Sequence, residues 1–164
     1  MGPNEQGEIY CKTPVQFSGY IGHPEKTAEA FDGEWFKTGD IGYFDDEQYL
    51  YVVDRKKEQL KFNNYQVTPS EIEAIINEIQ GVTSSCVVGV PEPLSGNDII
   101  HAFVILDESQ QLTDDFILNY VNEKVIDPKR IRGGVHIVKS FPVGTTAKVD
   151  RKKVLEMVEK LAQK

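Results

Sequence analysis

The sequence has little cysteine: Cys11 and Cys86 are the only two in 164 residues. Two cysteines cannot complete a four-ligand structural zinc site by themselves, and they are too few for a disulfide-rich secreted scaffold. Both stand in apolar, strand-like runs, so we expect small, buried side chains in a reduced, intracellular setting. Zinc-finger and disulfide-framework classes are therefore excluded.

The sequence also lacks a basic excess, a long apolar run and a leader. It carries 18 basic and 26 acidic residues, a net charge of −8. This balance argues against nucleic acid as a partner, since phosphate contacts need clustered Lys and Arg. No apolar run approaches the roughly 20 residues that span a bilayer, and no charged-then-apolar stretch opens the chain. The ending Leu161-Ala-Gln-Lys164 also differs from the Ser-Lys-Leu peroxisomal signal.

Hydrophobic residues make up 40% of the chain, enough for the core of one ordinary domain or of a small domain beside part of another. Residues 1–54 combine short strand-like stretches with one helix and hold too little apolar material for a separate core. The polar opening Met1–Gly7 favours a truncated beginning. From residue 55 the order hairpin, helix, strand, strand, helix, strand, helix predicts an α+β domain of about 110 residues.

Local patterns predict several element boundaries. The acidic turn Asp45-Asp46-Glu47 between two apolar runs indicates a hairpin. Apolar residues at helical spacing predict a helix from near Pro69 to about Gln80, with Ser70 as its cap and Gly81 at its end. A second helix has Thr113 as its predicted cap. Its inward side chains are expected to be Phe116, Ile117, Tyr120, Val121 and Val125. Strands are predicted at 84–90, 99–106 and 134–138, and a closing helix from about residue 150.

Three polar motifs follow one another in the order that a nucleotide-handling enzyme would need. They are Thr38-Gly39-Asp40, Asp54-Arg55 and Gly144-Thr-Thr-Ala-Lys148. An acid can bind both ribose hydroxyls, an Asp-Arg step can act as a hinge, and a lysine on a loop can meet a phosphate or carboxylate. Taken alone, Asp40 also fits a simple turn acid and Lys148 a solvated surface lysine. No glycine-rich loop that could hold a triphosphate is present.

These motifs closely resemble the C-terminal part of the adenylate-forming superfamily, which comprises acyl-CoA synthetases, 4-coumarate-CoA ligases and beetle luciferases. The matching stretches are Gly19–Pro24, Trp35–Gly42, Tyr51–Arg55, Leu60–Val67, Pro69–Glu73, Gly89–Pro91, Arg132–Val135 and Gly144–Lys148. Arg132-Gly-Gly-Val135 and the loop that follows most resemble the luciferase and 4-coumarate ligase branch.

The resemblance implies an enzyme that activates a fatty or aromatic carboxylic acid with ATP and then transfers the acyl group to coenzyme A. It implies that residues 1–54 end the large N-terminal domain and that residues 55–164 form a mobile lid, a short mixed sheet with helices packed on it. The hinge then falls at Asp54-Arg55. The phosphate loop and acyl pocket would lie upstream, so the isolated chain is expected to be inactive, although residues 56–164 should fold independently.

The resemblance also assigns residue roles. Asp40 would bind the ribose, with Thr38 and Gly39 shaping its turn, and Arg55 would act with the ribose or in the hinge. Lys148 would serve adenylation. Lys61, on the opposite face of the lid, would serve the second half-reaction.

Two residues replace glycines that are usual in the family. Asn64 stands near the path of the thiol, and Ala147 immediately precedes Lys148. Asparagine visits the left-handed region readily, so its turn is expected to persist, whereas alanine blocks positive φ more than glycine does.

The expected ligands are ATP or AMP, the carboxylic acid and coenzyme A, engaged together with the large domain. Mg²⁺ would ride on the nucleotide, with no protein ligand. The three histidines, His23, His101 and His136, are too scattered for a metal site or a nucleophilic dyad, and none has an evident partner. The parent enzyme would be cytoplasmic or peroxisomal. Two alternatives stay open: a non-catalytic, luciferase-like binding module, and a fragment of a light-emitting luciferase.

Overall fold

The structure is a computed structural model that describes residues 2–107 and 110–161. Met1 and residues 162–164, on which the interpretation of the two termini partly depends, lie outside the described residues. The chain divides into two compact units, Met1–Glu58 and Gln59–Lys164. The predicted hinge at Asp54-Arg55 lies four residues before this division and stays a prediction.

The first unit is a small antiparallel sheet with one short helix. Its elements are β1 (Gly7–Cys11), α1 (Pro24–Ala30), β2 (Phe31–Asp32), β3 (Trp35–Phe44) and β4 (Leu50–Arg55). The long strand β3 pairs antiparallel with β1, β2 and β4. The hairpin predicted around the acidic turn is confirmed as β3–β4. Asp45 Oδ1 accepts hydrogen bonds from the backbone N of Glu47 and Tyr49, which stabilises the turn.

The second unit confirms the predicted α+β class. Its elements are β5 (Leu60–Phe62), β6 (Tyr65–Val67), α2 (Pro69–Asn77), β7 (Val82–Pro91), β8 (Asp98–Leu106), α3 (Asp114–Lys124), β9 (Val135–Ile137) and α4 (Arg151–Leu161). Strands β5 and β6 form a two-stranded hairpin. Strands β7, β8 and β9 form a mixed sheet, in which β7 pairs antiparallel and β9 parallel with the central strand β8.

Two hydrophobic clusters occupy the two faces of the β7–β9 sheet. Successive side chains of a strand point to opposite faces, so neighbouring residues of β7 join different clusters. Val87 belongs to the cluster formed with α2 and α3, together with Ile72, Ile76, Ile100, Ala102, Val104, Ile117 and Val121. Cys86 and Val88 belong to the cluster formed with α4, together with Phe103, Val154 and Val158. Helices thus cover both faces of the sheet.

The structure corrects the predicted start and end of α2. The N-cap is Thr68, with Pro69 at the first helical position, so Ser70 lies inside the first turn and is not the cap. Proline suits the first position because its missing N–H is not needed there. The helix ends at Asn77, three residues before the predicted end at Gln80, and Gly81 has a φ of 98° in the turn that follows.

Two burial predictions are wrong. Phe116 of α3 was expected to face inward but is 49% exposed, whereas Ile117 and Val121 are buried. Thr113 does cap α3, since its side chain accepts a hydrogen bond from Phe116 N. Cys11 is only half-buried, because it ends the short strand β1, while Cys86 is buried as expected. None of the helices in the described ranges is long and apolar enough to cross a membrane.

We expect amide hydrogen exchange to be much slower in the second unit than in the first. Both clusters of buried hydrophobic residues belong to the second unit, whereas Ile41 is the only buried hydrophobic side chain among the described residues of the first. Local unfolding, which exposes backbone amides to exchange, requires less free energy where little apolar surface is buried. Mass-spectrometric or NMR exchange on the 164-residue chain measures the difference, and equal protection in both units would contradict it.

Candidate functional site

The Thr38-Gly39-Asp40 motif forms a bulge in β3. Opposite it, β1 supplies only Ile9, because Lys37 pairs with Tyr10 and Ile41 with Glu8. Gly39 has a φ of 72°, a left-handed conformation that glycine adopts without steric cost. The Thr38 hydroxyl donates to the Ile9 carbonyl at 2.8 Å and accepts from the Asp40 backbone N at 3.0 Å. The bulge therefore sets the position of Asp40.

Asp40 and Arg55 form an ion pair across β3 and β4. The Arg55 Nε lies 2.8 Å from Asp40 Oδ1, and its Nη1 donates to the Thr38 carbonyl at 3.3 Å. The Asp40 side chain remains 27% exposed, so the carboxylate can still accept hydrogen bonds from a ligand's hydroxyl groups. Asp54 Oδ1 accepts from the Arg55 backbone N at 2.7 Å. The structure thus brings four predicted residues together, namely Thr38, Gly39, Asp40 and Arg55.

Lys61 lies on the β5–β6 hairpin of the second unit, where its side chain is exposed between the partly buried Leu60 and the buried Phe62. The two-residue turn of this hairpin consists of Asn63 and Asn64, whose φ values are 46° and 65°. Two successive left-handed residues are what such a turn requires, and asparagine tolerates that conformation. Asn64 therefore keeps the backbone conformation that glycine would adopt.

Lys148 lies on a closed loop between β9 and α4. Val143 and Val149 form an isolated antiparallel bridge at its base. Within it, Gly144 N donates to the Lys148 carbonyl at 2.8 Å, and Ala147 N donates to the Gly144 carbonyl at 3.1 Å. The Lys148 side chain is exposed. The loop therefore holds the lysine at the surface, and its base continues directly into α4.

Ala147 has a φ of 58°, which is the left-handed conformation expected of the usual glycine. That conformation disfavours an alanine by about 1–2 kcal/mol. We expect Ala147→Gly to raise the free energy of unfolding by about 0.5–1 kcal/mol, because relief of the strain exceeds the added freedom of glycine in the unfolded chain. Urea denaturation measures this change.

The matched control for this prediction is Ala74→Gly at an exposed position inside α2. In an ordinary helical conformation the same replacement is expected to lower the free energy of unfolding by about 1 kcal/mol. Destabilisation by both replacements would show that Ala147 is not strained.

Comparison with known proteins identifies relatives along almost the whole chain. Residues 71–148 match the family described as the AMP-binding enzyme C-terminal domain. The luciferin 4-monooxygenase of Nipponoluciola cruciata is 38% identical over 161 residues, which cover 98% of this chain and 29% of that protein. The chain belongs to the adenylate-forming enzyme superfamily. It matches the C-terminal part of these enzymes and spans less than a third of the length of the relatives it matches.

Other adenylate-forming relatives extend the match beyond luciferases. The probable 4-coumarate–CoA ligase 2 of Dictyostelium discoideum is 35% identical over 158 residues, covering 96% of this chain and 28% of that protein. The ATP-bound structure of MatB from Rhodopseudomonas palustris has a TM-score of 0.89 and 29% identity, covering 98% of this chain and 32% of that one. These findings confirm the predicted superfamily and its luciferase-like branch.

One ion pair next to the adenylate-forming signature could not be predicted from the sequence motifs. Arg151, at the start of α4, holds Glu73 of α2 through two contacts, Nη1–Oε1 at 2.6 Å and Nη2–Oε2 at 2.9 Å. Arg151 Nη1 also donates to the Val87 carbonyl at 2.8 Å, while Val87 N donates to Glu73 Oε1 at 2.7 Å. The pair therefore satisfies both backbone groups of Val87 on the outer edge of β7. Glu73 is the last residue of the Pro69–Glu73 motif, but its partner is apparent only in the folded structure.

The prediction that the histidines have no partners is wrong for two of them. His101 Nδ1 lies 3.1 Å from His136 Nε2, because β8 and β9 are neighbours in the sheet. Burial, together with the smaller effect of the nearby His136, lowers the pKa of His101 to about 4, so the imidazole is neutral at pH 7. Burial also lowers the pKa of His136. A Cβ at Gly133 would lie only 2.1 Å from His101 Nε2, so close packing accounts for this glycine.

Two of the predicted site residues carry side chains whose chemistry suits a nucleotide. In the described part of the chain, no three His, Cys, Asp or Glu side chains gather into a potential metal centre. Asp40 is a partly exposed acceptor for hydroxyl groups, and Lys148 is an exposed cation on a loop. Their chemistry suits a ribose and an anionic group, respectively.

Proposed function

We propose that this chain is the C-terminal segment of an enzyme that converts a fatty or aromatic carboxylic acid into an acyl-adenylate and then into an acyl-CoA thioester. The observation that carries the proposal is the closed 143–149 loop. There Ala147 adopts the conformation of the usual glycine, and the Lys148 side chain is exposed. Residues 1–54 would complete the large domain, and residues 55–164 would form its mobile lid.

In the first step, a carboxylate oxygen of the acid attacks the α-phosphorus of ATP, and pyrophosphate leaves with the electron pair of the broken P–O bond. Lys148 would place a positive charge beside the reacting carboxylate and the α-phosphate, where negative charge accumulates. Asp40 would accept hydrogen bonds from the ribose hydroxyls. Arg55, which already holds Asp40 Oδ1 at 2.8 Å, would fix the orientation of that carboxylate.

In the second step, the sulfur of coenzyme A attacks the acyl carbon, AMP leaves with the electron pair of the C–O bond, and the thiol proton passes to solvent. Lys61 would act in this step. The packing supports the placement of Lys61 and Lys148 on different faces of the second unit. Leu60 and Phe62, which flank Lys61, belong to the α2–α3 cluster, whereas α4, which follows Lys148, belongs to the other cluster. Rotation of the lid about Asp54-Arg55 would bring Lys61 to the reacting groups in place of Lys148.

The isolated chain is proposed to be inactive because the phosphate loop and the acyl pocket would belong to the large domain. Without them nothing holds the two substrates together, and positioning accounts for much of the rate of such reactions. Mg²⁺ is proposed to enter with the nucleotide phosphates, neutralising their charge. The acid, ATP and coenzyme A would therefore bind this segment only together with a large domain.

The test is ATP–pyrophosphate exchange with a panel of fatty and aromatic acids, for this chain alone and for the chain joined to the large domain of an adenylate-forming relative. We expect exchange only in the joined protein, followed by thioester formation when coenzyme A is added. No exchange by a correctly folded joined protein would favour the non-catalytic module. Light emission with luciferin and oxygen, without thioester formation, would favour the luciferase alternative.

A further inference from the structure

The outer edge of β5, the strand that carries Lys61, is held by two consecutive side chains from a different part of the unit. The Lys61 backbone N donates to Asp98 Oδ2 at 2.7 Å, and the Asn63 backbone N donates to Asn97 Oδ1 at 2.8 Å. Asn97 Nδ2 in turn donates to Asn63 Oδ1 at 3.2 Å. Three hydrogen bonds therefore join the Lys61 hairpin to residues more than 30 positions further along the chain.

Strand geometry explains why these two amides need side-chain partners. In the antiparallel hairpin Phe62 pairs with Tyr65 next to the turn, so the amides of Lys61 and Asn63 point away from β6. The described structure provides no third strand on that side. Asn97 and Asp98 take its place, and their side-chain oxygens accept from alternate amides as a neighbouring strand would.

The residues that hold the hairpin are themselves fixed to the central sheet. Asp98 is the first residue of β8 and pairs with Pro91 of β7. The Asn97 carbonyl accepts from Glu92 N at 2.7 Å, and Gly96 N donates to the Glu92 carbonyl at 3.0 Å, so the loop between the strands is closed on itself. The hairpin is thereby tied to the rigid part of the unit.

Gly89 permits the close approach that this arrangement requires. A Cβ at position 89 would lie 2.7 Å from Leu60 Cδ2 and 2.8 Å from Asp98 Cβ, distances that real Cβ atoms do not show. Glycine in β7 thus leaves room for both the strand carrying Lys61 and the acid that holds it. Two residues further along β5 from Leu60, the Arg132 guanidinium lies 4.0 Å from the centre of the Phe62 ring.

We propose that Asn97 and Asp98 are positioning residues for Lys61. They fix the position of the hairpin relative to the central sheet. The exposed Lys61 of this two-stranded element is therefore held as precisely as a residue of the central sheet. A two-stranded hairpin has little stability of its own, so its placement depends on such outside contacts. This proposal rests on the proposed function, in which Lys61 serves attack of the thiol sulfur on the acyl carbon.

The first test is amide hydrogen exchange on the 164-residue chain. Asp98→Ala is expected to speed exchange at the Lys61 amide by at least about tenfold, and Asn97→Ala to do so at Asn63, because each loses its acceptor. Asp98→Asn keeps an acceptor oxygen and is expected to restore most of the protection. Glu123→Ala, which removes an exposed acid from α3, is the charge-matched control and should leave both amides unchanged.

The second test separates the two half-reactions in the joined protein. Asp98→Ala is expected to slow single-turnover thioester formation about tenfold or more, since small displacements of a catalytic group are costly, while adenylate formation changes less than about twofold. Asp98→Asn should recover most of the thioester rate. A purely structural role would lower both half-reactions together.

The possible outcomes distinguish failure of the positioning role from failure of the proposed function. Unchanged exchange at Lys61 in Asp98→Ala, or equal loss in both half-reactions, overturns the positioning role. If the wild-type joined protein forms adenylate but no thioester, the proposed function fails at its second step. The exchange data then decide the positioning role alone: faster exchange at Lys61 supports it, and unchanged exchange overturns it.

Discussion

Replacing Lys148 with alanine is expected to lower ATP–pyrophosphate exchange by the joined protein about 10²–10³-fold, the loss typical of removing one group that stabilises developing charge. The closed loop that carries this lysine is held by backbone hydrogen bonds, which the replacement leaves intact. The loss should therefore be one of charge, and unfolding in urea should be nearly unchanged.

Two further variants separate charge from geometry at this position. Lys148→Arg keeps the positive charge but presents a planar fork in place of a compact ammonium, so we expect only partial recovery. Lys152→Ala removes an exposed lysine of α4 and should leave exchange within about twofold of the wild type, since exposed charges contribute little. Lys61→Ala should retain exchange and lose thioester formation. Undiminished exchange in Lys148→Ala would remove the basis of the proposed adenylation role.

Replacing Glu73 with alanine is expected to lower the free energy of unfolding by about 2–4 kcal/mol. The side chains of Glu73 and Arg151 are only 14% and 26% exposed. The replacement leaves the guanidinium without its carboxylate and the amide of the fully buried Val87 without its acceptor. Because α2, β7 and α4 all meet at this pair, cooperative unfolding in urea should report the loss directly.

An exposed ion pair supplies the comparison for this prediction. Glu78 and Lys124 are 59% and 43% exposed, so Glu78→Ala should lower the free energy of unfolding far less than Glu73→Ala does. In a double-mutant cycle, Glu73→Ala and Arg151→Ala together should destabilise less than the sum of the single replacements, by about 1 kcal/mol or more. Additive effects would mean that the two side chains stabilise the unit separately.

The secondary structure was largely predictable because it follows from local patterns. The hairpin around Asp45, the cap at Thr113 and the start of the last helix near residue 150 all match the structure. The errors occurred where neighbouring residues determined which residue caps a helix or which side chain faces the core. Ser70 lost the capping position to Thr68 because proline at position 69 starts the helix, and Phe116 points outward because Ile117 and Val121 already face the core.

The sequence by itself was sufficient to determine the superfamily, the α+β class and the candidates Asp40, Arg55, Lys61 and Lys148. Their motifs are contiguous stretches, and short-range backbone requirements, such as a left-handed residue before Lys148, act within such stretches. Only the tertiary structure decided which distant groups meet. Glu73 reaches Arg151 across 78 positions, and Lys61 reaches Asp98 across 37. These pairings arise because strand edges must satisfy their backbone amides and carbonyls, and the packing of the sheet determines which side chains lie near enough.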